Sequence, residues 1–274
     1  MERQTDILAK GLYFPESPRW HNETIWISDM HTGWVMSVDW NGHLEKIIEV
    51  PQSPSGLGWL LDGRLLVVSM MDRRLYRLDP EGLALAADLS RLASFHCNDM
   101  VVDGQGRAYV GNFGFDFSAN AVKKPAEIIL VTPEGQVRRV AGDLFFPNGT
   151  VITPDGKTLI VAETFGHRLT AFSIRGDGSL HKRKTWADLP GLYPDGICLD
   201  AEGAVWVASP HPGLVCRVLP GGTVTHQVTV STKPYACILG GVDRRTLIIC
   251  TAGSKVASGR IEVVEVEVPG AGWP

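Results

Sequence analysis

Short apolar segments recur along the whole chain, and polar turns separate them. Inside these segments apolar and polar positions alternate, which is typical of β-strands with one buried face. Asp-Gly and related turns join many of them, and this is a strong local signal for β-hairpins. The clearest copies of the strand–turn–strand pattern are LLDGRLLVVS (60–69), VVDGQGRAYVGN (101–112), ITPDGKTLIVAE (152–163) and CLDAEGAVWVAS (198–209).

A third and a fourth strand follow the hairpins. Examples are EIILVTPEG (127–135) and the outer segment QVRRVAGDL (136–144). Helical periodicity is almost absent, and its best candidate is the stretch 88–95. A parallel α/β fold is therefore not expected, and a β-sandwich would not need a series of similar units.

The period of the repeat indicates its architecture. The first strand of each unit begins near one of six residues, which are Glu16, Ser55, Asn98, Asn148, Asp195 and Tyr235. These positions are separated by 39, 43, 50, 47 and 40 residues. Units of about 40–50 residues with four short strands are typical of a β-propeller. The sequence therefore predicts an all-β, six-bladed β-propeller with four-stranded antiparallel blades around a central channel, as one domain over residues 1–274.

The ring is expected to close through the N-terminal strand. Segment 7–12 can pair beside segment 260–268 and complete the sixth blade. Closure of this kind leaves only short, protected sheet edges.

Composition and charge narrow the choice of partners. The chain has 44% hydrophobic and 20% charged residues, as ordinary globular proteins do. Its net charge of −4 argues against a nucleic-acid partner.

We find neither a secretory signal nor an apolar stretch of membrane-spanning length, so no membrane partner and a cytoplasmic location are expected. The five cysteines are odd in number and have no CxxC spacing, so neither a disulfide framework nor a zinc site is indicated. Oligomeric state is left open.

Four of the strand starts carry side-chain oxygen donors. In a propeller the innermost strands begin around one channel, so Glu16, Asn98, Asn148 and Asp195 are expected to converge at one end of it. Hard divalent cations prefer carboxylate and amide oxygens. The alternative is that Asn148 and Asp195 merely form turns, since Pro-Asn-Gly and Pro-Asp-Gly are common in turns.

The motifs around these residues resemble those of a known family. They are E-S-P-x-W at 16–20, N-D at 98–99, P-N-G at 147–149 and P-D-G-I-C-x-D-A-E-G-x-V-W-V-A at 194–208. The chain resembles the regucalcin–gluconolactonase family of six-bladed propellers (senescence marker proteins), which includes luciferin-regenerating proteins, over nearly its whole length.

This resemblance implies a function and a ligand set. One divalent metal ion would be bound by Glu16, Asn148 and Asp195, with Asn98 beside it contacting substrate or water. The resemblance makes Ca²⁺ the first expectation, with Zn²⁺, Mn²⁺ or Mg²⁺ as alternatives that often support activity. The expected reaction is hydrolysis of a small lactone, in which water attacks a carbonyl polarised by the metal. Asp195 is the first candidate for the general base, and Asp99 is a reserve because a metal-bound carboxylate is a weak base.

One position departs from the family pattern. Regucalcin-like members have an arginine two residues before the N-D asparagine, where it holds a polar sugar lactone, and this chain has His96. A less polar lactone is therefore expected. His96 could bind a hydroxyl, act as an acid or base near neutral pH, or simply pack. Strand alternation directs Cys97 away from the channel and predicts a core cysteine.

Several loops are expected to flank the channel mouth. The longest is segment 111–127, whose Phe113, Phe115 and Phe117 could form an apolar wall or lid, or else a surface loop that buries its own aromatic rings. Loops that follow the second strands of other units could also shape the site; their residues are Met30, His31, Phe165, His167 and His211.

The residues are also compatible with two other functions. One is a different metal-dependent reaction on the same scaffold, such as hydrolysis of other esters, hydration or isomerisation. The other is a non-enzymatic calcium-binding propeller. Oxygen donors gathered in a channel favour chemistry on a small-molecule substrate, but the fold alone does not decide the reaction.

Overall fold

The computed structural model describes residues 2–272, whose regular secondary structure is almost entirely β-strand. Two strands, β1 (Glu2–Gln4) and β2 (Asp6–Leu12), precede the repeated units. One short 3₁₀ helix, Thr164–Gly166, lies in the fourth unit. Within the described residues, no helix has the length and apolar character needed to cross a membrane.

The first three blades contain four strands each. Blade 1 comprises β3 (Pro15–His21), β4 (Thr24–Asp29), β5 (Trp34–Val38) and β6 (Leu44–Glu49). Blade 2 comprises β7 (Pro54–Trp59), β8 (Leu65–Ser69), β9 (Arg74–Asp79) and β10 (Gly82–Asp88). Blade 3 comprises β11 (Cys97–Val102), β12 (Ala108–Asn112), β13 (Ala126–Val131) and β14 (Val137–Leu144).

The last three blades repeat this order. Blade 4 comprises β15 (Pro147–Ile152), β16 (Thr158–Glu163), β17 (Arg168–Ile174) and β18 (Leu180–Asp188). Blade 5 comprises β19 (Ile197–Leu199), β20 (Val205–Ser209), β21 (Leu214–Val218) and β22 (Val224–Thr229). Blade 6 comprises β23 (Lys233–Gly240), β24 (Thr246–Ala252), β25 (Gly259–Glu265) and the N-terminal β2.

All neighbouring strands inside the six units are antiparallel, which confirms the predicted six-bladed propeller. The turn aspartates explain why the first hairpins form. In five blades the carboxylate of a turn aspartate accepts a hydrogen bond from the backbone N–H two residues later, a local bond that fixes a tight turn. These aspartates are Asp62, Asp103, Asp155, Asp200 and Asp243.

The innermost strands of the six blades form a closed ring around the channel, in the order β3, β7, β11, β15, β19, β23 and back to β3. Neighbouring inner strands approach closely where the chain has glycine. A Cβ on Gly149 would lie 2.5 Å from the backbone nitrogen of Ile197, and one on Gly196 would lie 2.5 Å from the Cα of Ala236. Apolar side chains fill the spaces between the blades, and the largest fully buried one is Trp206.

The N-terminal segment ties two blades together. Strand β2 pairs antiparallel with β25, with Asp6 opposite Val263 and Leu12 opposite Gly259. Strand β1 pairs in parallel with β22 of blade 5, a contact that the sequence did not indicate.

Candidate functional site

A cavity of about 620 Å³ lies where the inner strands begin. Strand starts from four different blades contribute polar side chains to it. Glu16 comes from β3, Asn98 from β11, Asn148 from β15, and Asp195 precedes β19. The four side chains that the sequence placed at one end of the channel therefore line one cavity.

Asp195 has one carboxylate oxygen without a hydrogen bond. Its Oδ1 atom is buried and has no hydrogen-bond partner. Burial is the main reason why the pKa of its carboxyl group lies well above the ordinary value, and the negative charges of Glu16 and Asp99 raise this pKa further. A buried carboxylate oxygen without a partner is costly, so this atom calls for a proton or a cation.

Glu16 is the second carboxylate of the cavity. Burial raises its pKa from 4.5 to about 8, and the charge of Asp99 adds to the increase. A hydrogen bond of 3.1 Å, donated by the backbone N–H of Ser17 to Oε2, opposes it. Glu16 and Asp195 repel one another when both are ionised, and a divalent cation between them would relieve this repulsion.

The two amides have their nitrogen atoms fixed by the protein. Asn98 Nδ2 donates to the carbonyl oxygen of Pro147 at 3.2 Å, and Asn148 Nδ2 donates to Thr164 Oγ1 at 3.3 Å. The Thr164 hydroxyl in turn donates to the carbonyl oxygen of Pro194 at 2.8 Å. Neither amide oxygen has a hydrogen bond within residues 2–272, so both are available to a ligand.

Two carboxylates and two amide oxygens make a ligand set that fits a hard divalent cation. The described residues contain no group of three or more His, Cys, Asp or Glu side chains that could hold a metal ion. Any cation in this cavity would therefore depend on amide oxygens as well as on carboxylates. This mixture suits Ca²⁺, Mg²⁺ or Mn²⁺ better than it suits a thiolate- or imidazole-bound metal.

Asp99 lies outside the cavity lining, and one of its carboxylate oxygens accepts three hydrogen bonds. Its Oδ1 accepts hydrogen bonds from Arg19 Nη2 at 2.7 Å, from the Ser17 hydroxyl at 3.2 Å and from the backbone N–H of Met100 at 2.9 Å. The Arg19 guanidinium is buried too and also donates to the carbonyl oxygens of Leu57 and Met100. Asp99 thus links blade 3 to Ser17 and Arg19 of blade 1.

His96 is half-buried and also lies outside the cavity lining. Its ring stacks on Phe95 with 4.1 Å between centroids and lies 6.2 Å from the ring of Phe113. Burial lowers the pKa of His96, which favours the neutral imidazole. The neighbouring Cys97 is buried in an apolar cluster with residues of blades 2 and 3, which confirms the predicted core cysteine.

Segment 111–127 contributes unequally to the cavity. Phe113 and Phe117 line it, whereas Phe115 is buried behind the rings of Phe146 and Phe165. Of the loop residues expected near the mouth, four line the cavity and His167 does not; the four are Met30, His31, Phe165 and His211. The His167 ring instead contacts the carbonyl oxygen of Leu192.

Sequence reasoning missed several lining residues. Four of them, Phe14, Phe146, Tyr193 and Lys233, lie two positions before a strand-start residue. His96 stands in the same position before Asn98 and does not line the cavity, so this spacing alone does not identify the lining. Met70, Thr164, Pro210 and Tyr235 complete the residues that the sequence did not assign to the cavity.

A comparison with protein families agrees with this fold and this cavity. Residues 14–253 match the family model of the SMP-30/gluconolactonase/LRE-like region. The chain belongs to this family. The resemblance inferred from the sequence motifs is thereby confirmed.

Two relatives cover most of the chain. The chain is 25% identical to 6-deoxy-6-sulfogluconolactonase of Pseudomonas putida, over 94% of this chain and 93% of the relative. It is 24% identical to regucalcin of Danio rerio, over 92% of this chain and 80% of the relative. Among solved structures, a calcium-binding protein, regucalcin, from Agrobacterium tumefaciens superimposes with a TM-score of 0.85 at 21% identity, covering 100% of this chain and 98% of that one. At this identity the structural likeness supports the fold alone.

Proposed function

We propose that this protein is a metal-dependent hydrolase that opens a small lactone in the cavity at the strand starts. The observation that carries the proposal is the buried, unpartnered Oδ1 of Asp195 beside Glu16. The relative from Pseudomonas putida is named a lactonase, and the structural neighbour from Agrobacterium tumefaciens is described as calcium-binding, which supports both parts of the proposal.

Glu16, Asn148 and Asp195 would hold one divalent cation, and Asn98 would lie beside it. Ca²⁺ is our first choice because every candidate ligand atom is an oxygen. When bound, the cation would polarise the lactone carbonyl and stabilise the negative charge that develops on its oxygen. Binding requires the ionised carboxylates, so cation and protons compete for Glu16 and Asp195.

The chain's own groups would then direct the water. We assign to Asp195 the removal of a proton from the water whose oxygen attacks the carbonyl carbon. The bond between the acyl carbon and the ring oxygen breaks, the ring oxygen takes up a proton, and the product is a hydroxy acid. The amide of Asn98, fixed by Pro147, would orient substrate or water.

Asp99 and His96 receive supporting roles in this proposal. The hydrogen bonds of Asp99 to Arg19, Ser17 and Met100 leave it suited to positioning the start of β3. The neutral, stacked ring of His96 is suited to packing beside Phe113. The five cysteines are all free and buried, which fits the proposed cytoplasmic location.

Proton release from the hydroxy acid provides the test. The protein is stripped with a chelator and mixed with a panel of lactones, and single cations are then added back. We expect hydrolysis to cease on stripping and to return with one cation. Asp195→Ala should lose both cation binding and hydrolysis, whereas Asp188→Asn, at an exposed site, should retain both. Firm cation binding without hydrolysis of any lactone would instead support the calcium-binding alternative.

A further inference from the structure

Four phenylalanine rings from two blades form one continuous apolar surface in the cavity. We define Phe113, Phe117, Phe146 and Phe165 as the phenylalanine wall. Phe113 stacks on Phe146 at 4.4 Å between centroids, and Phe165 meets Phe146 edge-on at 5.1 Å. Phe117 lies 5.8 Å from both Phe146 and Phe165.

The wall is supported from behind and held from outside. The buried ring of Phe115 packs against Phe146 and Phe165 at 6.0 and 5.8 Å. The Lys123 ammonium group lies over the Phe165 ring at 4.1 Å. The carboxylate of Asp116 closes a turn by accepting hydrogen bonds from the Ser118 hydroxyl and the Ala119 N–H. These contacts present the rings in a defined arrangement.

One ring of the phenylalanine wall remains partly exposed to solvent. Phe117 is 54% exposed although it lies at the cavity mouth. Exposed aromatic surface at a concave site is a characteristic feature of ligand-binding pockets. A ligand that covers Phe117 would remove this surface from water, which favours binding.

Most of the surface that lines the cavity is apolar, and besides the phenylalanine wall it includes Phe14, Met30 and Met70. Apart from the proposed cation ligands and Thr164, the side chains that could meet a hydroxyl group are those of His31, Tyr193, His211, Lys233 and Tyr235. A sugar lactone would have to bring several hydroxyl groups against these surfaces, and each unpaired hydroxyl would cost binding energy.

We infer that the natural substrate is a lactone with an apolar substituent, alicyclic or aromatic, that binds against the phenylalanine wall while the carbonyl faces Asp195. This inference rests on the proposed lactonase function and specifies its substrate class. The substituent would bury Phe117 and stack on the rings of Phe146 and Phe165. Hydroxyl-rich lactones would be poor substrates of the same site.

A matched pair of six-membered lactones tests the inference. One is glucono-δ-lactone, and the other is a δ-lactone with a phenyl substituent. We expect kcat/KM of the cation-loaded protein to be at least about tenfold higher for the phenyl lactone, a usual size for apolar pocket contacts. Equal or higher kcat/KM for glucono-δ-lactone would overturn the inference.

Two variants test whether the phenylalanine wall contributes specifically to binding of the apolar substituent. Phe117→Ala should lower kcat/KM for the phenyl lactone about tenfold and lower that for glucono-δ-lactone far less. The control is Phe145→Ala, since Phe145 is 38% exposed and does not line the cavity. It should behave as the unmodified protein. Equal losses for both lactones in Phe117→Ala would refute a specific apolar subsite.

A binding measurement distinguishes failure of this inference from failure of the proposed function. The phenyl-substituted lactam is resistant to hydrolysis, and its affinity is measured by calorimetry. If no lactone is hydrolysed, the proposed function fails, but weaker lactam binding by Phe117→Ala than by Phe145→Ala would still support the apolar subsite. Lactam binding that is absent, or that is equal in both variants, would overturn it.

Discussion

Replacement of Glu16 by glutamine should reduce the loss of stability that the cation-free protein shows as the pH rises. The folded protein holds the pKa of this carboxyl group at about 8, against an ordinary value of 4.5. The folded state therefore binds a proton more tightly than the unfolded chain does. The stability linked to this proton is fully present below about pH 4.5, and it is lost progressively as the pH rises towards 8.

The size of the effect follows from the same two values. At about 1.4 kcal/mol per pKa unit, the full difference corresponds to about 5 kcal/mol. Glu16 is partly open to the cavity, and water there screens its charge, so we expect about 1–3 kcal/mol. Glutamine has a similar shape and no charge to bury. Glu16→Gln should therefore unfold at a higher urea concentration than the unmodified protein above about pH 8 and should differ little below about pH 5.

The assay is urea unfolding of chelator-treated protein at a series of pH values. Glu81→Gln is the matched control, because Glu81 is exposed in a turn and should leave the pH profile unchanged. Added cation should stabilise the unmodified protein increasingly as the pH rises, since it takes the place of the protons. Glu16→Gln should lose most of this gain. Identical pH profiles for Glu16→Gln and the unmodified protein would refute the reasoning.

Three further substitutions test the structure around the cavity. Asp99→Ala leaves a buried guanidinium group unpaired and should lower the unfolding free energy by about 3–5 kcal/mol in urea titrations; unchanged stability with lost turnover would instead make Asp99 catalytic. Thr164→Val removes the hydroxyl group that accepts a hydrogen bond from the Asn148 amide. Calorimetry should therefore show about tenfold weaker cation binding, and an unchanged affinity would contradict a positioning role for Thr164. Gly149→Ala places a Cβ atom 2.5 Å from the backbone of Ile197 and should lower the free energy of unfolding by at least about 1–3 kcal/mol, measured by thermal unfolding. The control is Gly142→Ala, whose Cβ atom would have nothing within 4 Å and which should show no comparable loss. Equal stability of the two variants would refute the close approach.

The architecture could be predicted because each blade has the same local sequence pattern. Hairpin turns, strand alternation and a regular period define six blades without any knowledge of long-range contacts. The convergence of Glu16, Asn98, Asn148 and Asp195 on one cavity follows from ring geometry alone. The short β1 could not be predicted in this way, because three residues in a parallel pair with β22 carry no periodic signal.

The details of the site depend on contacts between blades, which the sequence does not display. Nothing in the sequence pairs Asp99 with Arg19, residues 80 positions apart. The orientation of His96 is set by stacking on Phe95, and its position two residues before Asn98 does not disclose this. Of the phenylalanine wall, only Phe146 was not expected near the channel mouth, and its position two residues before Asn148 does not distinguish it from His96, which does not line the cavity.

The most direct test of the central claim follows bound cation and lactone hydrolysis together. Chelator-treated protein is titrated with one divalent cation, while equilibrium dialysis measures the cation bound and proton release measures the rate. We predict that the rate rises in proportion to the cation bound and reaches its maximum at one cation per chain, and that Asp195→Asn shows neither. Full hydrolysis by protein that elemental analysis finds free of metal would contradict the account.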